Sequence, residues 1–423
     1  MMRKKTGGVV VTTERGKEYV NDINKNIVQQ FETVKSLSRD IERDPSDPKA
    51  YFYRALAYSK KGLPQQALED LNRVMELDPH NAAVHGNRGG IYIRLGDFNR
   101  AIADCDRAIK INPEYGHAYF SRGYAYFKKK NYSLAIADYN QALRLDPDKA
   151  DAHASRGMAW YELKQYDCAI EDISRALSLE KPPALVCADW HLTRGQAYYD
   201  KGDFDSALAD FKRVMALGYK GALVYYWRGA VYVRKNDDDR ALADFDRCIA
   251  LDPDHARAYN GRGCVYKNKG DHDRAIEDFT RAIELDGTFA GAYCNRGIAW
   301  HKKGDYDRAV EDFDRAVKLG MDGPETLYHR ALAFLCKKDY DRALADLDLT
   351  IKLDRHNAAA HHKRGLAYME KGDCDHAIAD YTQAIALDPG LRAAYKDRGF
   401  AYLKKSEEYK TLAGSDFQAA IGD

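Results

Sequence analysis

One spacing recurs along almost the whole chain and limits its possible folds more than any other feature. An arginine is followed directly by glycine or alanine, and an aromatic residue lies three positions after that glycine or alanine. Successive arginines are 34 residues apart except for one gap of 38. A constant period of this length is typical of a solenoid, whose short units bury their apolar faces only by stacking. The eleven arginines are Arg54, Arg88, Arg122, Arg156, Arg194, Arg228, Arg262, Arg296, Arg330, Arg364 and Arg398.

Each period contains two helical patterns separated by a turn, as the third unit illustrates. Gly123 and Tyr126 fall on neighbouring faces of one helix, and Ala135 and Tyr139 have helical spacing on a second. Pro147 ends the second pattern, because proline cannot continue a helix. Each unit is therefore predicted to be a helix–turn–helix hairpin.

These units resemble the tetratricopeptide repeat family. When each unit is counted from six residues before its arginine, position 8 is glycine in nine units and alanine in two. Position 11 is aromatic in all eleven units, and position 20 is alanine in the first ten. We expect the glycine and this alanine to let the two helices approach closely. The resemblance covers residues 48–423 and implies an all-α, right-handed superhelical solenoid of 34-residue repeats, with the first helices lining a concave groove.

The period also predicts the limits of the segments. Residues 1–17 lack periodicity and are expected to be a flexible tail, and 18–47 form a capping helix. Ten full units span 48–391, with a four-residue insertion near 184–187. Residues 392–423 form a degenerate eleventh unit or C-terminal cap, in which the turn pattern is lost before part of a final helix recovers.

The insertion permits two interpretations. Pro182 and Pro183 interrupt the chain there, and four residues amount to about one helical turn. The insertion either lengthens the first helix of the fifth unit or forms a hinge between residues 48–183 and 188–423.

Position 7 departs from the family, because arginine stands in every unit where leucine is usual, and position 23 is aspartate in the first ten units. An unpaired buried charge costs several kcal/mol, so we predict a ladder of arginine–aspartate pairs, within a unit or to the next. A row of arginines that binds anionic ligands is the alternative. The predicted ladder includes Arg88, Arg122, Arg156, Arg228, Arg262, Arg296, Asp104, Asp138, Asp172, Asp244, Asp278 and Asp312.

The family resemblance places the groove at positions 2, 5, 9, 12 and 13 of each unit. These positions are more aromatic than a solvated face requires, so they either dock a peptide or an amphipathic helix, or pack adjacent first helices together, or both. The candidate groove residues are Phe52, Leu56, Phe120, Tyr124, Phe127, Met158, Tyr161, Tyr199, Tyr226, Ile298, Tyr328, Leu332, Met369 and Phe400.

The chain shows no catalytic, cofactor-binding or metal-binding motif. No Walker loop, dinucleotide fingerprint, HExxH or GxSxG is found, and we predict no catalytic, cofactor or metal residues. The inner-face pair Cys264 and Cys294 is expected to be inert packing. The eight cysteines form no CxxC pair, which favours reduced thiols and a cytoplasmic location.

Charge and hydropathy narrow the choice of partner. The chain has 66 lysines and arginines against 65 aspartates and glutamates, which argues against nucleic-acid binding, and no segment approaches the length of a membrane helix. We therefore predict a non-enzymatic protein–protein interaction scaffold or adaptor that binds a peptide or helix of a partner protein in its groove. The alternatives are a self-associating, homo-oligomeric structural scaffold and, less favoured, an RNA-binding helical solenoid.

Overall fold

The computed structural model describes residues 33–179 and 183–421, with side chains up to 407. Every regular element in these ranges is an α-helix, and the predicted all-α superhelical repeat fold is confirmed. The predicted tail, residues 1–17, lies outside the described residues, as does the first part of the predicted capping helix. None of the described helices has a stretch long and apolar enough to cross a membrane.

The chain divides into two compact blocks, an N-terminal block (1–219) and a C-terminal block (220–423). The N-terminal block contains α1 (33–43), α2 (Pro48–Lys60), α3 (Pro64–Leu77), α4 (Ala82–Arg94), α5 (Phe98–Ile111), α6 (Gly116–Lys128), α7 (Tyr132–Leu145), α8 (Ala150–Glu162), α9 (Tyr166–Leu179), α10 (Ala184–Lys201) and α11 (Phe204–Ala216). The C-terminal block contains α12 (Ala222–Arg234), α13 (Asp238–Leu251), α14 (Ala256–Asn268), α15 (His272–Leu285), α16 (Ala290–Lys303), α17 (Tyr306–Lys318), α18 (Pro324–Cys336), α19 (Tyr340–Leu353), α20 (Ala358–Glu370), α21 (Cys374–Leu387) and α22 (Arg392–Ile421).

From α2 onward the helices form hairpins, and the turn inside each hairpin has a clear local cause. Gly96 adopts a left-handed conformation with φ of +77°, which ends α4. Asp97 then caps α5, because its Oδ1 accepts a hydrogen bond of 3.0 Å from the backbone N–H of Arg100. Lys130 and Lys338 adopt the same left-handed conformation without being glycine.

The two helices of a hairpin approach closely at position 8, although the contact differs from the predicted one. A Cβ added to Gly123 would lie 2.9 Å from Cε1 of Tyr139 and 3.2 Å from the backbone oxygen of Ala135. The small-against-small packing predicted from the sequence is therefore incomplete. The side chain at position 24 lies in the space that the glycine leaves, and it is an aromatic ring beside Gly123 but Cys105 beside Gly89 and Ile173 beside Gly157.

The four-residue insertion falls within α10, which has 18 residues where most first helices have 13. Its added first turn is solvent-facing, because the side chain of Leu185 is 64% exposed, whereas Trp190 is buried. The structure therefore matches the interpretation of a lengthened first helix. Whether residues 183–187 also act as a hinge stays a prediction.

The eleventh unit departs from the hairpin pattern. The sequence predicts that the turn pattern is lost over residues 406–416 before part of a final helix recovers, and α22 runs through this segment as one helix of 30 residues from Arg392 to Ile421. The first half of α22 packs on α21 and α20, as the first helix of a further repeat would do.

Candidate protein-binding surface

The arginines at position 7 form regular bidentate pairs with the aspartates at position 23. In the first ten repeats, Nε donates to Oδ2 and Nη2 donates to Oδ1 of the aspartate 16 residues later, over 2.6–2.9 Å. Each pair joins the two helices of one hairpin. The aspartates are 4–6% exposed, so these pairs lie in the interior.

The third guanidinium nitrogen links neighbouring repeats. Nη1 of Arg88 donates to Oδ1 of Asn72 over 2.8 Å, and Nη1 of Arg296 donates to Oγ1 of Thr280 over 3.0 Å, each acceptor lying on the second helix of the preceding repeat. Because both edges of these guanidinium groups are occupied, the arginines are not presented to an anionic ligand. The geometry therefore favours the structural interpretation over the ligand-binding one.

Three repeats add a histidine at position 4 to the same carboxylate. Nδ1 of His191 lies 2.7 Å from Oδ1 of Asp210, and His153 and His361 make the same contact with their own aspartates at 3.1 Å. Burial disfavours the ionised form of Asp210, but hydrogen bonds from Arg194 and His191 outweigh it, so its pKa is lowered.

In the N-terminal block, the candidate groove residues are half-buried and contact their own repeat or the next one. Phe120 lies 5.8 Å, between ring centroids, from the buried ring of Tyr139, and Phe127 makes an edge contact with Tyr132 at 5.5 Å. The hydroxyl of Tyr161 donates to Oδ2 of Asp200 over 3.0 Å. The other candidates in this block are also half-buried: Phe52, Leu56, Tyr124, Met158 and Tyr199.

In the C-terminal block, some candidates pack into repeat cores and others face outward. Ile298 packs against the core that contains Phe313, and Met369 packs against the core around Tyr381. Phe400 is 54% exposed. The remaining candidates in this block are half-buried: Tyr226, Tyr328 and Leu332.

A cavity of about 620 Å³ opens on this face of the C-terminal block. It lies between α16, α18 and α20, the first helices of three successive repeats, with the turn before α19 at one side. Its size falls within the range of ligand-binding clefts, and its lining is mainly apolar. The lining residues are His301, Leu332, Leu335, Cys336, Lys338, Tyr340, Lys363, Leu366 and Glu370.

Positive charge collects near this cavity. Lys338 and Lys363 line it, and Glu370 is the one acidic residue among its described lining residues. Burial lowers the pKa of the nearby His329, and Lys267 and Lys302 lower it further while Glu325 opposes them.

Leu332 is the one residue of this cavity among the candidates predicted from the sequence, and the other eight lining residues were missed. Leu335 and Leu366 occupy groove positions 12 and 9, so the same pattern contained the signal for them. Lys338 and Tyr340 belong to the turn and the second helix, which a pattern based on first helices does not include.

The cysteines and possible metal ligands form no further site in the part of the chain that the structure describes. All eight cysteines are free, and burial raises the pKa of the Cys264 and Cys294 thiols. Within the described residues, no group of three His, Cys, Asp or Glu side chains is arranged to hold a metal ion.

Repeated helical hairpins, close glycine contacts and stacked first helices define a helical-repeat protein of the solenoid class. Models of the tetratricopeptide repeat match residues 48–81, 82–115, 192–256, 256–289 and 290–319, and a TPR repeat model matches 123–164 and 365–406. These matches cover more than half of the chain, which therefore belongs to the tetratricopeptide repeat family.

Several solved structures are similar to this chain at low sequence identity. The APC/C hetero-tetramer Cut9-Hcn1 has a TM-score of 0.51 and 15% identity, over 89% of this chain and 95% of that one. A tetratricopeptide repeat protein from Parabacteroides merdae has a TM-score of 0.44 and 17% identity, over 60% of this chain and 98% of its own. Yeast Tom70 has a TM-score of 0.42 and 17% identity, over 93% and 95%. No curated protein has a matching sequence.

Proposed function

We propose that this protein is a non-enzymatic scaffold or adaptor that binds a segment of a partner protein on the face formed by its first helices. The observation that carries the proposal is the cavity of about 620 Å³ between α16, α18 and α20. Leu332, Leu335 and Leu366 give it an apolar floor, suited to one or two large apolar side chains of a peptide or helix.

The charges around the cavity support an acidic partner segment. Lys338 and Lys363 flank the leucines, so a carboxylate in the bound segment would be attracted by both ammonium groups while it stays in contact with water at the rim of the cavity. RNA is the less favoured ligand, because the floor of the cavity is formed by leucines and the chain as a whole has 66 lysines and arginines against 65 aspartates and glutamates. The eight free cysteines favour a reducing compartment, so the cytoplasm remains the expected location.

The test is a peptide-display selection against the full chain, followed by affinity measurements with fluorescently labelled peptides. We expect selected peptides to carry a large apolar residue flanked by aspartate or glutamate. Leu366→Ala is expected to raise the Kd of such a peptide about tenfold or more, since it removes an apolar contact at the centre of the site. Lys363→Glu is expected to weaken binding chiefly at low salt.

Leu349→Ala is the matched control, because Leu349 lies on α19, is 46% exposed and does not line the cavity. It should leave the Kd unchanged. Selected peptides whose binding is equally insensitive to Leu366→Ala and Leu349→Ala would show that the cavity is not the binding site. A preference for single-stranded RNA over every selected peptide would favour the RNA-binding alternative.

A further inference from the structure

The C-terminal helix α22 presents a helix face that its own repeat leaves open. Every earlier first helix from α2 onward is covered by a second helix that returns in the opposite direction, whereas α22 continues as one helix from Arg392 to Ile421. Ala394 and Ala401, on the side toward the preceding repeat, are fully buried. The other side of α22 has no covering helix among the described residues.

The residues on the open side are those that a second helix covers elsewhere. Tyr395 at position 4 and Tyr402 at position 11 are 45% and 54% exposed, although the residues at these two positions are half-buried or buried in the other ten repeats. A Cβ added to Gly399 would meet nothing within 4 Å. In the eight other repeats with glycine at position 8, that Cβ would lie 2.7–3.0 Å from a side chain of the second helix.

Arg398 is likewise without the carboxylate that the other ten arginines have. It donates from Nη1 to Thr382 of the preceding repeat over 3.2 Å, which is the usual link between repeats. Among the described residues, no aspartate or glutamate accepts from its Nε and Nη2. Among the side chains that the structure describes, the ladder therefore ends with an unfilled carboxylate position.

The second half of α22 contains the sequence that would fill this position. The second helices carry alanine at position 20, aspartate at position 23, usually an aromatic or aliphatic residue at position 24 and usually a small residue at position 27. In the eighth repeat these residues are Ala309, Asp312, Phe313 and Ala316. The C-terminal segment repeats this spacing. Its residues are Ala413, Asp416, Phe417 and Ala420.

The spacing differs from that of the other repeats in one respect. Asp416 follows Arg398 by 18 residues, whereas the pairs in the ladder are 16 residues apart. Eighteen residues are five full turns of an α-helix, so the open positions and the second-helix pattern share one face of α22. The two sets are about 27 Å apart along the helix, which prevents them from meeting within one molecule.

We propose that this face is the interface for a second copy of the chain. Two α22 helices pack antiparallel about a two-fold axis near residue 407, and Asp416 of each copy pairs with Arg398 of the other. Phe417 enters the space beside Gly399, as Phe313 does beside Gly297 inside a hairpin. The eleventh repeat is thus completed reciprocally between two copies, which is an isologous interface of the helix-swapped kind.

The turn sequence supports the swapped form over a helix that folds back on itself. Most hairpins place glycine in the left-handed conformation at position 15, as at Gly304 and Gly372. The eleventh repeat has Ser406 there, and serine gives no comparable preference for that conformation. The self-association does not depend on the peptide-binding cavity, which lies on different helices.

Charge reversal tests the proposal in the full-length protein. We expect the wild type to be a dimer by sedimentation equilibrium at micromolar concentration. Arg398→Asp and Asp416→Arg should each raise the dimer Kd at least about 100-fold, because each places like charges opposite one another in both halves of the interface. An equimolar mixture of the two variants should restore the dimer, since every cross-pair is then of opposite charge.

Arg355→Asp, the same reversal at an exposed residue outside α22, should leave the dimer intact. Thermal unfolding followed by circular dichroism checks that both variants remain folded, which the ten complete repeats should ensure. A wild type that is monomeric up to about 100 µM would overturn the proposal. So would a mixture that stays monomeric, because a helix folded back within one chain cannot be rescued by a second chain.

Discussion

The pair formed by Arg296 and Asp312 allows the energetic role of the ladder to be measured. Its two hydrogen bonds are 2.8 and 2.7 Å long, and the Asp312 side chain is 7% exposed. Asp312→Ala leaves a largely buried guanidinium without its partner, and removing one member of a buried pair costs about 3–5 kcal/mol. The Arg296 side chain is 19% exposed, so water partly solvates it, and we expect a loss of about 2–4 kcal/mol.

The double variant separates pairing from packing. Arg296→Met with Asp312→Ala removes both charges, so its cost should be at least about 2 kcal/mol below the sum of the two single costs. Long repeat arrays do not unfold in one step, so the appropriate assay is native-state hydrogen exchange of the amides in α16 and α17. That measurement gives the free energy of local opening for this hairpin.

Asp314→Ala is the control in the same helix. Asp314 bonds Nη1 of Arg330 over 2.7 Å, but its side chain is 44% exposed, so its removal should cost less than about 1 kcal/mol. Costs for Arg296 and Asp312 that add within about 0.5 kcal/mol would refute the pairing argument. Equal losses for Asp312→Ala and Asp314→Ala would refute the weight that we give to burial.

Two further predictions concern the repeat packing and its response to acid. In α4, Gly89→Ala should destabilise the hairpin by about 1–3 kcal/mol, because the new Cβ would lie 2.9 Å from Sγ of Cys105. The Cβ of Gly90→Ala would meet nothing within 4 Å, so this variant should stabilise the hairpin by about 0.5–1 kcal/mol. Hydrogen exchange in α4 distinguishes the destabilising variant from the stabilising one. Because the pKa of Asp210 is lower in the folded state than in the unfolded state, its ionised form stabilises the fold at a pH above the unfolded-state pKa. This stabilisation is lost as the pH falls through the folded-state pKa. An unchanged melting temperature of the wild type from pH 2 to 7 would contradict this acid dependence. His191→Phe removes a 2.7 Å hydrogen bond to Asp210, so it should raise the pKa of Asp210 and lower the stability at pH 7 by about 1 kcal/mol.

The repeating core was predictable because the same physical requirement recurs in every repeat. The spacing placed Gly123 and Arg122 on one helix and Asp138 on the next, and the helical hairpin follows from that spacing. Whether each arginine pairs within its hairpin or with the next one was not predictable. The structure pairs each arginine within its own hairpin whether the residue beside the position 8 glycine is Tyr139, Cys105 or Ile173, so the helix–helix packing and not one side chain makes that choice.

The cavity and α22 show two physical limits of prediction from a repeat pattern. Lys338, one of the residues that line the cavity, lies in the turn before α19 with φ of +61°, and a groove pattern drawn only from first helices does not include it. Residues 413–421 carry a normal second-helix pattern, yet they continue α22. A pattern specifies which face of a helix needs a partner, but it does not specify which chain supplies that partner.

The same regularity determines where partner recognition can differ between repeats. The arginine, glycine and aspartate positions are nearly constant and buried, so they contribute the same contacts in every hairpin. Position 5, in contrast, is Phe120 in one repeat, Asn260 in another and Lys396 in the last. Because each repeat contacts only its neighbours, such changes alter the surface locally without disturbing the array. Under the proposed function, we therefore expect a partner segment to be selected by two or three consecutive repeats, which is the extent of the cavity between α16, α18 and α20.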